Sequence, residues 1–160
     1  IASSTLSKVE NDALSLNFDR LQSVAKGFSM TLSEFLSPID AENSSRFAGR
    51  VDWARKGEAR IEKTSSYDYH YLCTQLKEKK MVPIRSRIKA RTLDEFGDLL
   101  HHSGEEFIYV VQGRVEVHLE LYEPQTLEVG EAVYIDSQQG HAYLDAANGE
   151  ETWIISVNAS

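Results

Sequence analysis

Cysteine is almost missing from this 160-residue chain. The single Cys73 excludes an internal disulfide, and a reduced, cytoplasmic setting is expected. No run of about 18 apolar residues is present, which excludes a membrane-spanning helix. A basic-then-apolar leader is also missing, so secretion is not expected. A glycine-rich phosphate loop, a Cys-x-x-Cys pair and a nucleophile elbow are lacking as well. Nucleotide hydrolysis and covalent catalysis are therefore unsupported. Basic residues almost vanish after Gly97, where Arg114 is the only one. That acidity argues against this part binding nucleic acid by itself. There is no internal repeat and no low-complexity tract.

What is present suits one sizeable core plus something small, with 41% hydrophobic residues and a net charge of −8. Between Ser37 and Phe96 bases outnumber acids, opposite to the rest of the chain. Two oppositely charged faces of one domain explain this more simply than an anionic ligand or a neighbouring subunit does.

The first 36 residues read as short helices. Ser4 or Thr5 caps a segment through Glu10. A second helix begins near Asn17, carries Leu21, Val24 and Ala25 on one face, and ends at Gly27. Thr31-Leu-Ser-Glu34 has the capping-box pattern of a third, which packs through Phe35-Leu36 and is stopped by Ser37-Pro38. Residues 37–50 read as a linker.

Strand signals then accumulate: Arg60–Lys63, Tyr67–Thr74, and Met81–Ile88, where Pro83 suggests an edge or a bulge. Arg85 and Arg87 share one face of the last. Thr92–Gly97 is a turn or short helical piece. Alternating runs continue through Phe107–Val111, Arg114–Leu121, Ala132–Ile135, Ala142–Leu144 and Thr152–Val157. About nine short strands predict an antiparallel sandwich or barrel. Trp53 and Trp153 are expected to pack. Cys73 is expected to act as a small hydrophobe, and His70 and His118 to have no functional role. The hydroxyls of Tyr71, Tyr109, Tyr134 and Tyr143 could reach a pocket.

Leu99 to Asn148 resembles the cupin family of small double-stranded β-helix barrels. His102 stands ahead of Glu106 with three residues between, Gly113 comes after Glu106 with six residues between, Gly130 opens the second motif, and His141 supplies its histidine. The position two before His102 is Leu100, and Asp136 and Asp145 replace the motif's proline and asparagine. The resemblance implies a mainly β fold with Glu106 and His141 in the barrel mouth. His101 or His102 would complete a metal set for zinc, iron, manganese or nickel. Adjacent histidines on an extended chain point apart, so at most one of them faces inward. Because the motif departs from the family's, a metal-free small-ligand pocket is preferred over a metal centre.

Residues 4–36 resemble the later helices of a lambda-repressor-like helix-turn-helix domain. Ser4-Thr-Leu-Ser-Lys-Val-Glu10, Leu16, Leu21, Val24-Ala25 and Thr31-Leu-Ser-Glu-Phe-Leu36 carry the likeness. It implies a DNA-binding segment at 1–36 ahead of a cupin domain at 51–160. Ser3, Ser4, Thr5, Ser7 and Lys8 would then be the DNA-contacting residues. Since the chain opens at Ile1 inside the expected turn, an N-terminally truncated protein is expected. Together the two likenesses imply an Xre-type transcriptional regulator, a homodimer with no catalytic residues and no certain cofactor. Its barrel would sense a small effector through Arg85, Arg87, Glu106, Tyr134 and His141. The alternative is a metal-dependent cupin dioxygenase or isomerase.

Overall fold

The computed structural model describes residues 18–36 and 49–159. The capped segment through Glu10, residues 37–48 of the linker, and the DNA-contact candidates Ser3, Ser4, Thr5, Ser7 and Lys8 lie outside the described residues. Helix α1 (Phe18–Gly27) and helix α2 (Leu32–Leu36) precede the strands. The apolar stripe read from the sequence is the buried one. Leu21 and Ala25 are buried and Val24 packs beside them, joined by Phe18 one turn earlier. In α2, Leu32 and Leu36 are buried in the same core as strand residues. Two short helices bury too little to be stable alone. Phe18, Leu21, Leu32 and Leu36 each gain about 1.5–3 kcal/mol by burial against the barrel, an upper bound.

Nine strands follow among the described residues: β1 (Arg60–Lys63), β2 (Tyr67–Tyr71), β3 (Met81–Ile88), β4 (Glu105–Gln112), β5 (Arg114–Leu119), β6 (Tyr122–Glu128), β7 (Ala132–Asp136), β8 (His141–Asp145) and β9 (Thr152–Ala159). A short helix, α3 (Leu93–Phe96), leads into β4, with Thr92 accepting from the Glu95 N–H as its cap. The strands form two antiparallel sheets, ordered β1-β2-β3-β9-β4-β7 and β6-β5-β8. This is the mainly β cupin barrel that the sequence led us to expect. Its core runs between the sheets through Ile84, Ile108, Val110, Val115 and Ile154.

Two expectations are corrected here. β3 lies between β2 and β9, so Pro83 is in an interior strand, not at an edge. Its carbonyl accepts from Leu72, just past the end of β2. In an antiparallel strand the N–H and C=O of one residue point the same way. The donor that proline lacks therefore faces the place where β2 has already ended, and the ladder to β9 stays complete. Trp53 does not pack in the core: it is 67% exposed, with the Arg55 guanidinium over its ring.

The oppositely charged stretches meet within one barrel. Arg87 pairs with Glu151 at 2.8 Å and Arg91 with Asp145 at 3.9 Å. Gly113 turns β4 into β5 at φ 76°, a backbone region that disfavours side chains. A Cβ there would also lie 2.8 Å from the Thr152 Cα.

Candidate metal centre

β4 alternates strictly. Glu106, Ile108 and Val110 point into the barrel, while Phe107, Tyr109 and Val111 point out. This parity buries the Glu106 carboxylate. His102 sits in the loop before β4, its N–H donating to the Ser137 carbonyl at 2.9 Å. His141 opens β8, and its backbone exchanges two hydrogen bonds with Leu100. Glu120 holds the preceding Gly140 by accepting its N–H at 3.0 Å. The loop carrying His102 and the strand carrying His141 are thus tied together by backbone bonds, two residues from His102.

The side chains converge. His102 Nε2 and His141 Nε2 each lie 3.5 Å from the same Glu106 oxygen, Oε2. All three groups are buried, and their ligand atoms lie within 4.8 Å of one another. The imidazole rings are 5.1 Å apart and nearly perpendicular. Each ring turns its other nitrogen to a backbone carbonyl: His141 Nδ1 to Gln139 at 3.0 Å, and His102 Nδ1 to Ser103 at 3.4 Å. A proton on Nδ1 satisfies these carbonyls and leaves the lone pair on Nε2, the tautomer a metal ligand needs. A first-row ion binds such donors at roughly 2.0–2.2 Å. Small side-chain rotations close the set around it, so the residues fit a divalent metal. The sequence reading preferred a metal-free pocket; this geometry supports the possibility of a divalent metal.

A cavity with about 350 Å³ of empty space, open mouth included, lies over the three ligands. Phe18, Leu100, Ile84, Ile88 and Ile154 form its apolar wall. Tyr67, Tyr69, Tyr143, Ser86, Ser156 and Asn158 bring polar atoms to it. The Phe18 ring stands 4.8 Å from the His102 ring, so α1 contributes directly to the site. Tyr67 and Tyr143 are both pushed well above the ordinary tyrosine pKa, chiefly by burial and further by the nearby Glu106 charge.

Other expected site residues lie elsewhere. His101 is exposed, with Nδ1 at the Gln138 carbonyl, so His102 is the inward member of the pair. Arg85 and Arg87 do share a face of β3, but it is the outer one. Arg85 lies 4.1 Å over the Trp153 ring, and Arg87 pairs with Glu151. The inner positions are Val82, Ile84, Ser86 and Ile88, an apolar alternation that was legible in the sequence. Tyr134 is exposed beside Glu105, which raises its pKa by hydrogen bonding. Tyr109 is exposed as well, and Tyr71 is buried away from the cavity. The sequence reading missed Phe18, Tyr67, Tyr69, Ser86, Ser156 and Asn158. For the two serines and Asn158 the signal was strand parity. For Phe18 and Tyr67 no local signal exists.

The profile of the cupin domain family matches residues 94–157. No curated protein sequence matches the chain. Among solved structures, hydroxypropylphosphonic acid epoxidase from S. wedmorenis is similar at a TM-score of 0.60 and 22% identity. That match covers 97% of this chain and 82% of the epoxidase. Its iron(II) form, FeII HppE, matches at 0.60 and 21%, over 89% of this chain and 76% of that one. An RmlC-like cupin from Shewanella frigidimarina matches at 0.54 and 12%, over 69% and 91%. The expectation that the chain is not an enzyme does not stand: chains of its fold include an iron(II) epoxidase, and it carries a buried set of two histidines and a glutamate. Residues 94–157 are a cupin domain, set within a cupin barrel.

Proposed function

We propose that the protein is a metal-dependent cupin enzyme, holding one divalent first-row ion, iron(II) foremost, on His102, Glu106 and His141. One observation carries this reading: three metal-binding side chains from separate places in the chain converge within 4.8 Å in the interior. A salt bridge to neutralise a buried carboxylate needs only one protonated histidine. The second histidine, aimed at the same oxygen, has no such explanation. Two histidines, one carboxylate and open remaining positions make the donor set that suits iron(II) oxygenases. An ion bound there would supply Lewis-acid and redox chemistry, with dioxygen or a peroxide as the oxidising co-substrate. The chain's own residues do the rest. Gln139 and Ser103 fix the imidazole tautomers through their carbonyls. Phe18, Leu100 and the isoleucines limit access of water to the cavity.

The test is anaerobic reconstitution with iron(II), then elemental analysis and measurement of oxygen uptake. One ion per chain, lost in Glu106→Gln, is expected. Failure to hold iron, cobalt or zinc in stoichiometric amount overturns the proposal.

A DNA-reading role for residues 1–36 is a second reading, additional to the first. Helices at Phe18–Gly27 and Leu32–Leu36 lie within the stretch that carries the helix-turn-helix resemblance, which is what supports this reading. Ser3, Ser4, Thr5, Ser7 and Lys8 would be its contacts, presented twice by a homodimer. The epoxidase match extends over 97% of this chain, so the likeness of fold is not confined to the barrel. Gel-shift selection with random duplexes tests this reading, and no retained sequence at low salt refutes it.

A further inference from the structure

The cavity contains a buried polar atom with no hydrogen-bond partner within 3.5 Å, the Asn158 Oδ1, and beside it the buried Tyr143 hydroxyl, which faces the Glu106 carboxylate. Asn158 is 6% exposed and Tyr143 4%, so bulk water does not serve them. Buried polar atoms left unpaired are costly, and in native sites they mark where a ligand completes the network. Both stand beside the metal ligands. Asn158 is directly opposite Glu106 in the β4–β9 register, and Tyr143 is two residues from His141, its hydroxyl facing the Glu106 carboxylate.

The surrounding charge is equally informative. Among the described residues, no lysine or arginine lines the cavity. Lys26 is engaged with Ser103, and Arg85 and Arg87 are on the outer face. Lys79 lines a neighbouring cavity and donates to the carbonyls of Leu72 and Cys73. A divalent ion on Glu106 leaves one positive charge, which is insufficient for a dianion. The unpaired acceptor of Asn158 requires a donor from the ligand, which a carboxylate or phosphonate oxygen does not provide.

We propose that the site takes a compact, uncharged substrate carrying at least one hydroxyl, which donates to Asn158 Oδ1 and meets the Tyr143 hydroxyl. This deepens the metal-enzyme reading and rests on it. The space at the site, about 350 Å³ with its open mouth included, confines it to a compact ligand.

The test uses cobalt(II)-loaded protein and three probes with one carbon skeleton: 1,2-propanediol, lactate and 2-hydroxypropylphosphonate. Binding is read from the cobalt visible spectrum at saturating metal. The diol is expected to bind at least about tenfold more tightly than either anion. Asn158→Leu and Tyr143→Phe should each weaken the diol by roughly three- to tenfold, the worth of one neutral hydrogen bond. Equal or tighter binding of an anion, no diol binding, or unchanged affinity in both variants overturns the proposal while leaving the metal centre standing. Failure of cobalt(II) to bind overturns the metal centre, and this inference with it.

Discussion

Tyr67→Phe isolates one oxygen that joins the two sheets. β8 is the edge strand of the smaller sheet, paired with β5 on one side. On the other side, the Tyr143 N–H donates to the Tyr67 hydroxyl at 2.9 Å, and that hydroxyl donates to the Tyr143 carbonyl at 3.1 Å. A side chain from β2 thereby satisfies an otherwise unpaired position of β8. Phenylalanine keeps the ring, which packs against Tyr69 and Phe96. It leaves a buried donor and a buried acceptor without partners. At about 1–3 kcal/mol for each neutral group, and with some recovery by rearrangement, the expected loss is about 2–5 kcal/mol. Set against total stabilities of roughly 5–15 kcal/mol, that is a large fraction. The corresponding fall in Tm is on the order of 5–15 °C. Urea unfolding monitored by circular dichroism measures it, with an unchanged m-value as the check that only stability moved. The exposed Tyr109→Phe is the control, expected within about 0.5 kcal/mol. A loss below about 1 kcal/mol in Tyr67→Phe would refute the claim that this hydroxyl closes the sheet edge.

Three other outcomes are expected from the same geometry. At a cobalt(II) concentration of roughly 100 times Kd, the wild type should gain about 2.7 kcal/mol of stability, and His101→Ala should keep this gain while His102→Ala and Glu106→Gln lose it; retention by Glu106→Gln would sink the metal centre. Gly113→Ala should cost well over about 2 kcal/mol, because its Cβ meets the Thr152 backbone as well as a strained φ, whereas Gly149→Ala has open space and should cost only the strain, about 1–2 kcal/mol; equal losses in denaturant melts would contradict the close approach. His70 is held below its ordinary pKa of 6.5, first by burial and then by Arg85, with Asp68 opposing. Its stability contribution is therefore complete above pH 6.5 and is lost as pH falls toward the folded value. Proton NMR should place the His70 titration below 6.5 and nearer to it in Arg85→Met; a midpoint above 6.5 would contradict the assignment.

Strand identity was legible where the period-2 alternation was clean. Arg60–Lys63 and Met81–Ile88 were read with the bounds the structure gives them. Glu106 and His141 could be paired in advance because a motif spacing links residues far apart in the chain. The inward set of β3 was also available, since Val82, Ile84 and Ile88 share one parity, yet attention to charge placed Arg85 and Arg87 inside. An arginine pair with an aromatic and two carboxylates to meet on the outer face has no need of the barrel. Tyr67 and Phe18 were beyond reach for another reason. Their roles depend on contacts across the fold, Tyr67 with Tyr143 and Phe18 with His102, and no local pattern encodes them.

The origin of the three ligands connects folding to chemistry. Glu106 belongs to the six-stranded sheet, His141 to the three-stranded sheet, and His102 to the loop before β4. A metal held by all three would clamp one sheet to the other at the end where Tyr67 and the Leu100 bridge meet β8 on the side away from β5. The unfolded chain holds no such preformed site, so binding free energy becomes folding free energy. Without metal, the Glu106 carboxylate is buried with the two histidine nitrogens at 3.5 Å and the Tyr143 hydroxyl facing it. On the metal-centre reading, the same grouping would be a local weakness of the empty barrel. Metal loading should protect the amides of β8 from hydrogen exchange more than those of β5, which is paired on both sides.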